Sequence, residues 1–295
     1  MKRKIFSISI IVLIILTSMF VMSCGKSKKS GFELVQGSGA TMTAALKSAY
    51  QSKEWVVVTG WTPHWKFNKF KLKYLKDPKK IYGGTEFIHT IVRKGLKEDM
   101  PQVYEFLDKF KWTAADMQEV MLMNLKKGTD QYENAKKWVM QNEEKVKEWL
   151  PANIKPGNGK KVKLIYVEWS SEIASTNVVK AVLQEKMGYK VKMISAAVAM
   201  MYQGMANGDA DAMVSAWLPS THKHYLNGVK DKVVDLGPNL SGTKLGLVVP
   251  QYVTIDSISE LAKHAAKFNN KIIGIDPGAG EMKMTRKVIE VYNLK

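Results

Sequence analysis

Two kinds of apolar pattern alternate along this chain. Short unbroken runs of small and β-branched residues read as buried strands, and longer stretches in which apolar residues return every three or four positions read as helices packed by one face. In order, the pattern predicts a strand over 32–36, a turn over 37–40 and a helix over 41–51 with Met42, Ala45, Leu46 and Ala49 inward. A buried strand over 56–59 follows, then a long loop rich in lysine and aromatics up to Gly83 and Gly84, then a strand over 89–93. Asp99 caps a helix that opens with Pro101 and runs to about Lys109. Thr113 with Asp116 makes a capping-box start for a helix over 114–126 that stops at Gly128, and a further helix spans 131–150 before Pro151.

From Val162 the order becomes strand (164–168), helix (175–186), strand (191–196), helix (200–207), strand (212–217). A strand over 244–249, a helix over 257–267 with Ser257 as cap, a strand over 271–276, the turn PGAGE and a helix over 285–292 complete the chain. Strands that alternate with helices predict an α/β fold.

Two distant stretches echo one another. TGWTPHW at 59–65 and SAWLPSTH at 215–222 each follow a buried strand that ends in a small residue, then Trp, then Pro two places on. Trp61 laid on Trp217 brings helix 41–51 onto 197–207, strand 33–36 near 189–192 and strand 89–93 near 244–249. One repeat is complete from Leu164. The other finds its missing strand and helix at the carboxyl end, as KIIGID and TRKVIEVY, so it is whole only if Lys295 meets Gly31 in space. The expected architecture is two similar α/β lobes, 31–92 plus 250–295 and 96–243, with hinge crossovers at 93–95 and 244–249 and the ligand in the cleft between them.

The amino terminus changes the picture of where the fold begins. Lys2, Arg3 and Lys4 precede an apolar run over 5–22, then Ser23 and the chain's single cysteine, Cys24. This reads as a lipoprotein signal over 1–23, lipid attachment at Cys24, and a polar tether over 24–30, with the remainder on the outer face of a bacterial cell membrane. A plain amino-terminal membrane anchor is the alternative. The net charge of +18, lowered by three if the leader is removed, raises nucleic acid as a partner. Only Arg3, Arg93 and Arg286 are arginines, however, and the lysines are scattered, so a lysine-rich surface beside anionic lipid is the better reading and nucleic acid is not expected.

Candidate chemistry gathers after the strands. Trp61, Trp169 and Trp217 each follow one, and three converging indole faces would form a cage for a cation that has no hydrogen bonds to donate. PGAGE at 277–281 lies between a strand and a helix, where glycines let peptide N–H groups approach an anion; a plain turn explains the spacing about equally well. His222 sits in the same mouth and can donate to a ligand carboxylate, although a lone histidine is more often a surface residue. His64 is expected to pack the Trp61 loop, and Met200, Met201 and Met205 a helix. Trp112, Trp138 and Trp149 read as core. With no nucleophile paired to a base, no carboxylate pair and no metal-ligand spacing, no enzyme, metal or cofactor is expected.

TGWTPHW, YVEWSSEIAST, SAWLPSTHK, GLVVPQYV and IIGIDPGAG closely resemble the glycine betaine-binding proteins of osmoprotective ABC importers, over nearly all of the chain after the leader. The resemblance implies a two-lobed type II periplasmic-binding fold in a circularly permuted order and an ABC permease as partner. It further implies a tryptophan prism around trimethylammonium at Trp61, Trp169 and Trp217, with the carboxylate held by backbone amides at Gly280 and Glu281 and by His222. Glu281 departs from the apolar residue common at its position, and its carboxylate would oppose a bound anion unless it points away. A choline or carnitine receptor is the alternative within this class, and a basic surface protein that binds polyanions the alternative outside it.

Overall fold

The computed structural model describes residues 31–295; the leader over 1–23, Cys24 and the tether over 24–30 lie outside the described residues. The strands are β1 (Glu33–Val35), β2 (Val57–Thr62), β3 (Leu72–Tyr74), β4 (Glu86–Arg93), β5 (Lys161–Tyr166), β6 (Lys190–Ser195), β7 (Ala212–Leu218), β8 (Val233–Pro250) and β9 (Lys271–Ile273). The helices are α1 (Gly39–Ser52), α2 (Lys66–Lys69), α3 (Leu96–Asp99), α4 (Pro101–Lys109), α5 (Ala114–Asn124), α6 (Gln131–Gln141), α7 (Glu143–Trp149), α8 (Ser170–Glu185), α9 (Val198–Asn207), α10 (Lys223–Asn227) and α11 (Gly280–Val291), with a 3₁₀ segment at Ile258–Phe268.

The strands run in the order β1-β9-β2-β8-β4-β7-β5-β6, with β3 also on β8. Long β8 changes partner part way. Lys244 to Val248 pair antiparallel with β2, whereas Val233 to Thr243 pair with β4. Two α/β halves therefore share one strand, β1, β9, β2 and β3 on one side and β4, β7, β5 and β6 on the other. Since β4 pairs with β7 from Phe87 onward, the first passage between the halves falls before Glu86, one strand earlier than the 93–95 expected. The alternation in 89–93 identifies a strand but carries no information on which sheet it joins. The second passage lies at Thr243 and Lys244, the start of the expected 244–249.

The two ends of the described chain touch. Phe32 donates its N–H to the Leu294 carbonyl at 2.5 Å, β1 pairs parallel with β9, and a side chain added at Gly31 would strike the Lys295 backbone. This is the contact that the circular reading required.

Helix starts follow local capping. Ser38 caps α1, Thr113 and Asp116 form the expected box on α5, and Ser257 with Glu260 forms one on the 3₁₀ segment. Asp99 instead ends the short α3, so Met100 is the cap and Pro101 the first residue of α4. The helix expected over 131–150 breaks at Asn142 into α6 and α7. Two further differences bear on function: α8 begins at Ser170, not 175, and α11 at Gly280, not 285. Serine and glycine are weak helix formers, so the sequence pattern starts late, whereas burial of both helix ends starts them early. Each new start lies beside the cleft.

Candidate ligand-binding site

β2 and β7 are buried throughout except at Thr62, and each hands on directly to a tryptophan loop. Both Trp-x-Pro exits carry a cis peptide, Thr62-Pro63 and Leu218-Pro219. Trp61 leaves β2 on one side of the cleft, and Trp217 and Trp169 come from β7 and the β5–α8 link on the other. All three line a single cavity together with Thr221, His222, Leu245, Ile275 and the Ala279-Gly280-Glu281 turn. The cavity is small, about 20 Å³, room for roughly one water, so a larger guest requires its walls to part. Trp61 and Trp169 stand 6.3 Å apart between ring centroids, tilted by 48°.

The polar groups around this space divide by role. The Trp169 indole N–H donates to Asp276 at 2.8 Å, which fixes that ring across the cleft. The Trp65 indole donates to Ser170 Oγ at 3.1 Å, and the Tyr225 hydroxyl donates to the Gly278 carbonyl at 2.7 Å. His222 is fully buried, and its Nδ1 accepts the Trp217 N–H at 3.2 Å. The proton therefore belongs on Nε2, which has no hydrogen-bond partner. Burial, with a smaller contribution from His224, pushes its pKa down to about 3, so the ring is neutral and keeps this one donor.

At the opposite end α11 starts at Gly280. The first N–H groups of a helix lack intrahelical acceptors, and here they border the cavity at the positive end of the helix dipole. Gly280 is required by close approach: a Cβ there would collide with the Thr221 carbonyl. Every expected site residue among those described, Trp61, Trp169, Trp217, His222, Gly280 and Glu281, thus borders one space, while Cys24 lies outside the description. His64 packs edge-on against Trp61 at 4.6 Å, as expected, and burial beside Lys66 holds its pKa well below the usual value.

Three contributors went unread in the sequence. Glu86 accepts from the Ser220 and Thr221 amides at 2.7 and 2.8 Å and from the Thr221 hydroxyl, and so shapes the loop that carries His222. Asp276 orients Trp169. Lys66, in α2, is wholly buried with its ammonium 4.4 Å from the Trp61 ring centroid. None sits in a distinctive local pattern; only the tail of KIIGID, after a strand and before PG, marked Asp276 as near a mouth.

An aromatic cavity with a neutral imidazole donor and a helix terminus, set between two α/β lobes, has the makeup of a small-molecule pocket. The profile of the family described as substrate binding domain of ABC-type glycine betaine transport system matches residues 17–141 and 160–295, and the chain belongs to that family. It is 51% identical, over 78% of its own length and 76% of the relative's, to the glycine betaine/carnitine transport binding protein GbuC of Listeria monocytogenes. An uncharacterized protein, ORF1, of Chromohalobacter salexigens is 30% identical over 45% of this chain and 88% of the relative. Among solved structures, the glycine/betaine/L-proline-binding protein ProX of Borrelia burgdorferi is 48% identical with a TM-score of 0.44, matching 46% of this chain and 51% of that one. Lactococcal OpuAC, closed and complexed with glycine betaine, is 44% identical with a TM-score of 0.42, over 46% and 52%. The match spans about half of each solved chain.

Proposed function

We propose that this protein is the substrate-binding component of an ABC importer that captures glycine betaine or a closely related quaternary ammonium solute and delivers it to a membrane permease. The observation that carries the reading is the convergence of Trp61, Trp169 and Trp217 with the free Nε2–H of His222 and the start of α11 around one cavity. A trimethylammonium group donates no hydrogen bonds, so indole faces serve it where carboxylates and waters would serve a primary amine. Three desolvated faces supply roughly 6 kcal/mol before ordering costs, and micromolar affinity needs about 8, so the carboxylate end has to contribute. His222 and the Gly280 and Glu281 amides are the groups that do so. The lobes part along the passages at β4 and β8 to admit the guest, and their closure brings the rings together.

Family membership and the leader pattern support attachment at Cys24 on the outer face of the membrane, and among the described residues no helix is long and apolar enough to cross a bilayer. Carnitine is the second reading, because the name of the Listeria relative includes it and a carnitine shares both the cation and the carboxylate. Calorimetry and tryptophan fluorescence on the mature protein test the proposal: saturable binding of glycine betaine with a change in emission, and none with glycine. Silence towards glycine betaine, carnitine and choline alike overturns it.

A further inference from the structure

Glu281 presents a contradiction that the proposed site has to resolve. It lines the cavity at the first turn of α11, where the backbone is proposed to hold a ligand carboxylate, and it is itself an acid, 3% exposed, with Oε1 lacking any hydrogen-bond partner. A lone anion there repels the very group the turn is meant to bind. Lys66 is a buried cation in this region, with no exposed surface. Its ammonium donates to the Thr59 carbonyl at 3.3 Å and lies 4.4 Å from the centre of the Trp61 ring. Trp61 borders the cavity and Lys66 does not, so the ammonium meets the guest's space through its contact with that ring.

We propose that Lys66 and Glu281 form a charge-neutral pair that sets the ligand preference of the cage, with Lys66, packed against Trp61, cancelling the Glu281 carboxylate. The inference rests on the proposed betaine site and adds to it the residues that decide between a zwitterion and a simple cation. Each member acts on both ends of a guest. An uncompensated carboxylate at 281 disfavours a ligand carboxylate and favours a ligand cation; an uncompensated ammonium at 66 competes for the π-electrons of Trp61 and does the reverse. Paired, they contribute no net charge, whether both are ionised or the proton has passed from one to the other.

Burial pushes the Lys66 ammonium down and the Glu281 carboxyl up, and each opposes the shift in its partner; the Gly60 and Gly246 amides also favour the ionised acid. Glu172, three residues after Trp169, is pushed up to about 8 by burial; it is common to the wild type and every variant, so each variant's profile is read against the wild type's. His64 and His222 are kept neutral by burial, and burial raises Tyr74 and Tyr82 well above their ordinary range, with Glu281 adding to both.

The test is the ratio of dissociation constants for glycine betaine and choline, which share the trimethylammonium group and differ at the carboxylate. It is measured from about pH 6 to about pH 9 on the mature protein and its variants, across the range where an unpaired buried acid or lysine titrates. The wild-type ratio is expected to move less than about threefold. Lys66→Met should shift it towards choline by about tenfold as pH rises and Glu281 ionises, and Glu281→Gln should shift it towards glycine betaine by a similar factor at the acid end. The double variant Lys66→Met with Glu281→Gln should return to a flat profile. If Lys66→Met does not fold, Glu281→Gln and the double variant carry the same comparison. Ratios unchanged in the single variants, or both ligands weakened in proportion, overturn the pair's role while wild-type binding leaves the betaine site standing. A wild type that binds no quaternary ammonium compound overturns both.

Discussion

The protein contains two clusters of three tryptophans, and they differ in what they enclose. In the helical part of the second half, Trp138 stacks on Trp149 at 6.3 Å and 14°, Trp112 meets Trp138 edge-on at 5.9 Å, and Phe110 meets Trp149 edge-on at 5.0 Å. The rings fill one another's space, and Trp138 gives its N–H to Glu119 at 2.9 Å. Trp61, Trp169 and Trp217 are just as buried but tilt around a cavity instead of closing on one another. An unpartnered indole N–H does not separate the two, since both Trp61 and Trp112 have one. What separates them is company: among the described residues, only the cleft cluster shares its space with a helix start, with His222, whose Nε2 has no partner, and with Glu281, whose Oε1 has none. Aromatic burial by itself stabilises a fold; aromatic burial around unsatisfied polar groups specifies a guest.

This contrast breaks first under substitution. Trp138→Ala should lower the unfolding free energy by about 3–5 kcal/mol through the cavity it leaves, while the folded fraction keeps its glycine betaine affinity within about twofold; denaturant titration beside calorimetry reads both. Trp217→Ala should do the converse: at least about 2 kcal/mol of binding lost, some thirtyfold in affinity, for a smaller loss of stability because the ring already borders free space. Equal effects on stability and binding in both variants would erase the distinction.

A finer cut separates the ends of the cleft site. His222→Ala should weaken glycine betaine by about 1.5–3 kcal/mol, the range for a hydrogen bond to a charged group, and leave choline nearly unmoved. The smallest effect concerns acid. The folded pKa of His222 is about 3 against 6.5 for the free side chain, so between those values the unfolded chain binds the extra proton. Its contribution is complete above the unfolded value and is lost as pH falls towards 3. His222→Gln should therefore flatten the pH dependence of unfolding between about pH 6 and pH 4 by up to about 1 kcal/mol per unit. Glu172, pushed up to about 8 by burial, contributes the opposite slope at higher pH, which is why the comparison is variant against wild type.

By itself the sequence determined the main strands and helices and where the two tryptophan exits fall. Strand runs ending at Trp61 and Trp217, a glycine turn before α11, and the cyclic order that joins 271–295 to β1 are local patterns, and local patterns are read from spacing alone. Tertiary structure decided everything that depends on which side of a sheet or helix meets another. It put β4 with β7, started α8 and α11 at the cleft, and buried Lys66 against Trp61 and Glu281 beside the cavity. A lysine among the forty-odd basic residues of this chain carries no mark of burial, because the free energy that hides it comes from partners far along the chain.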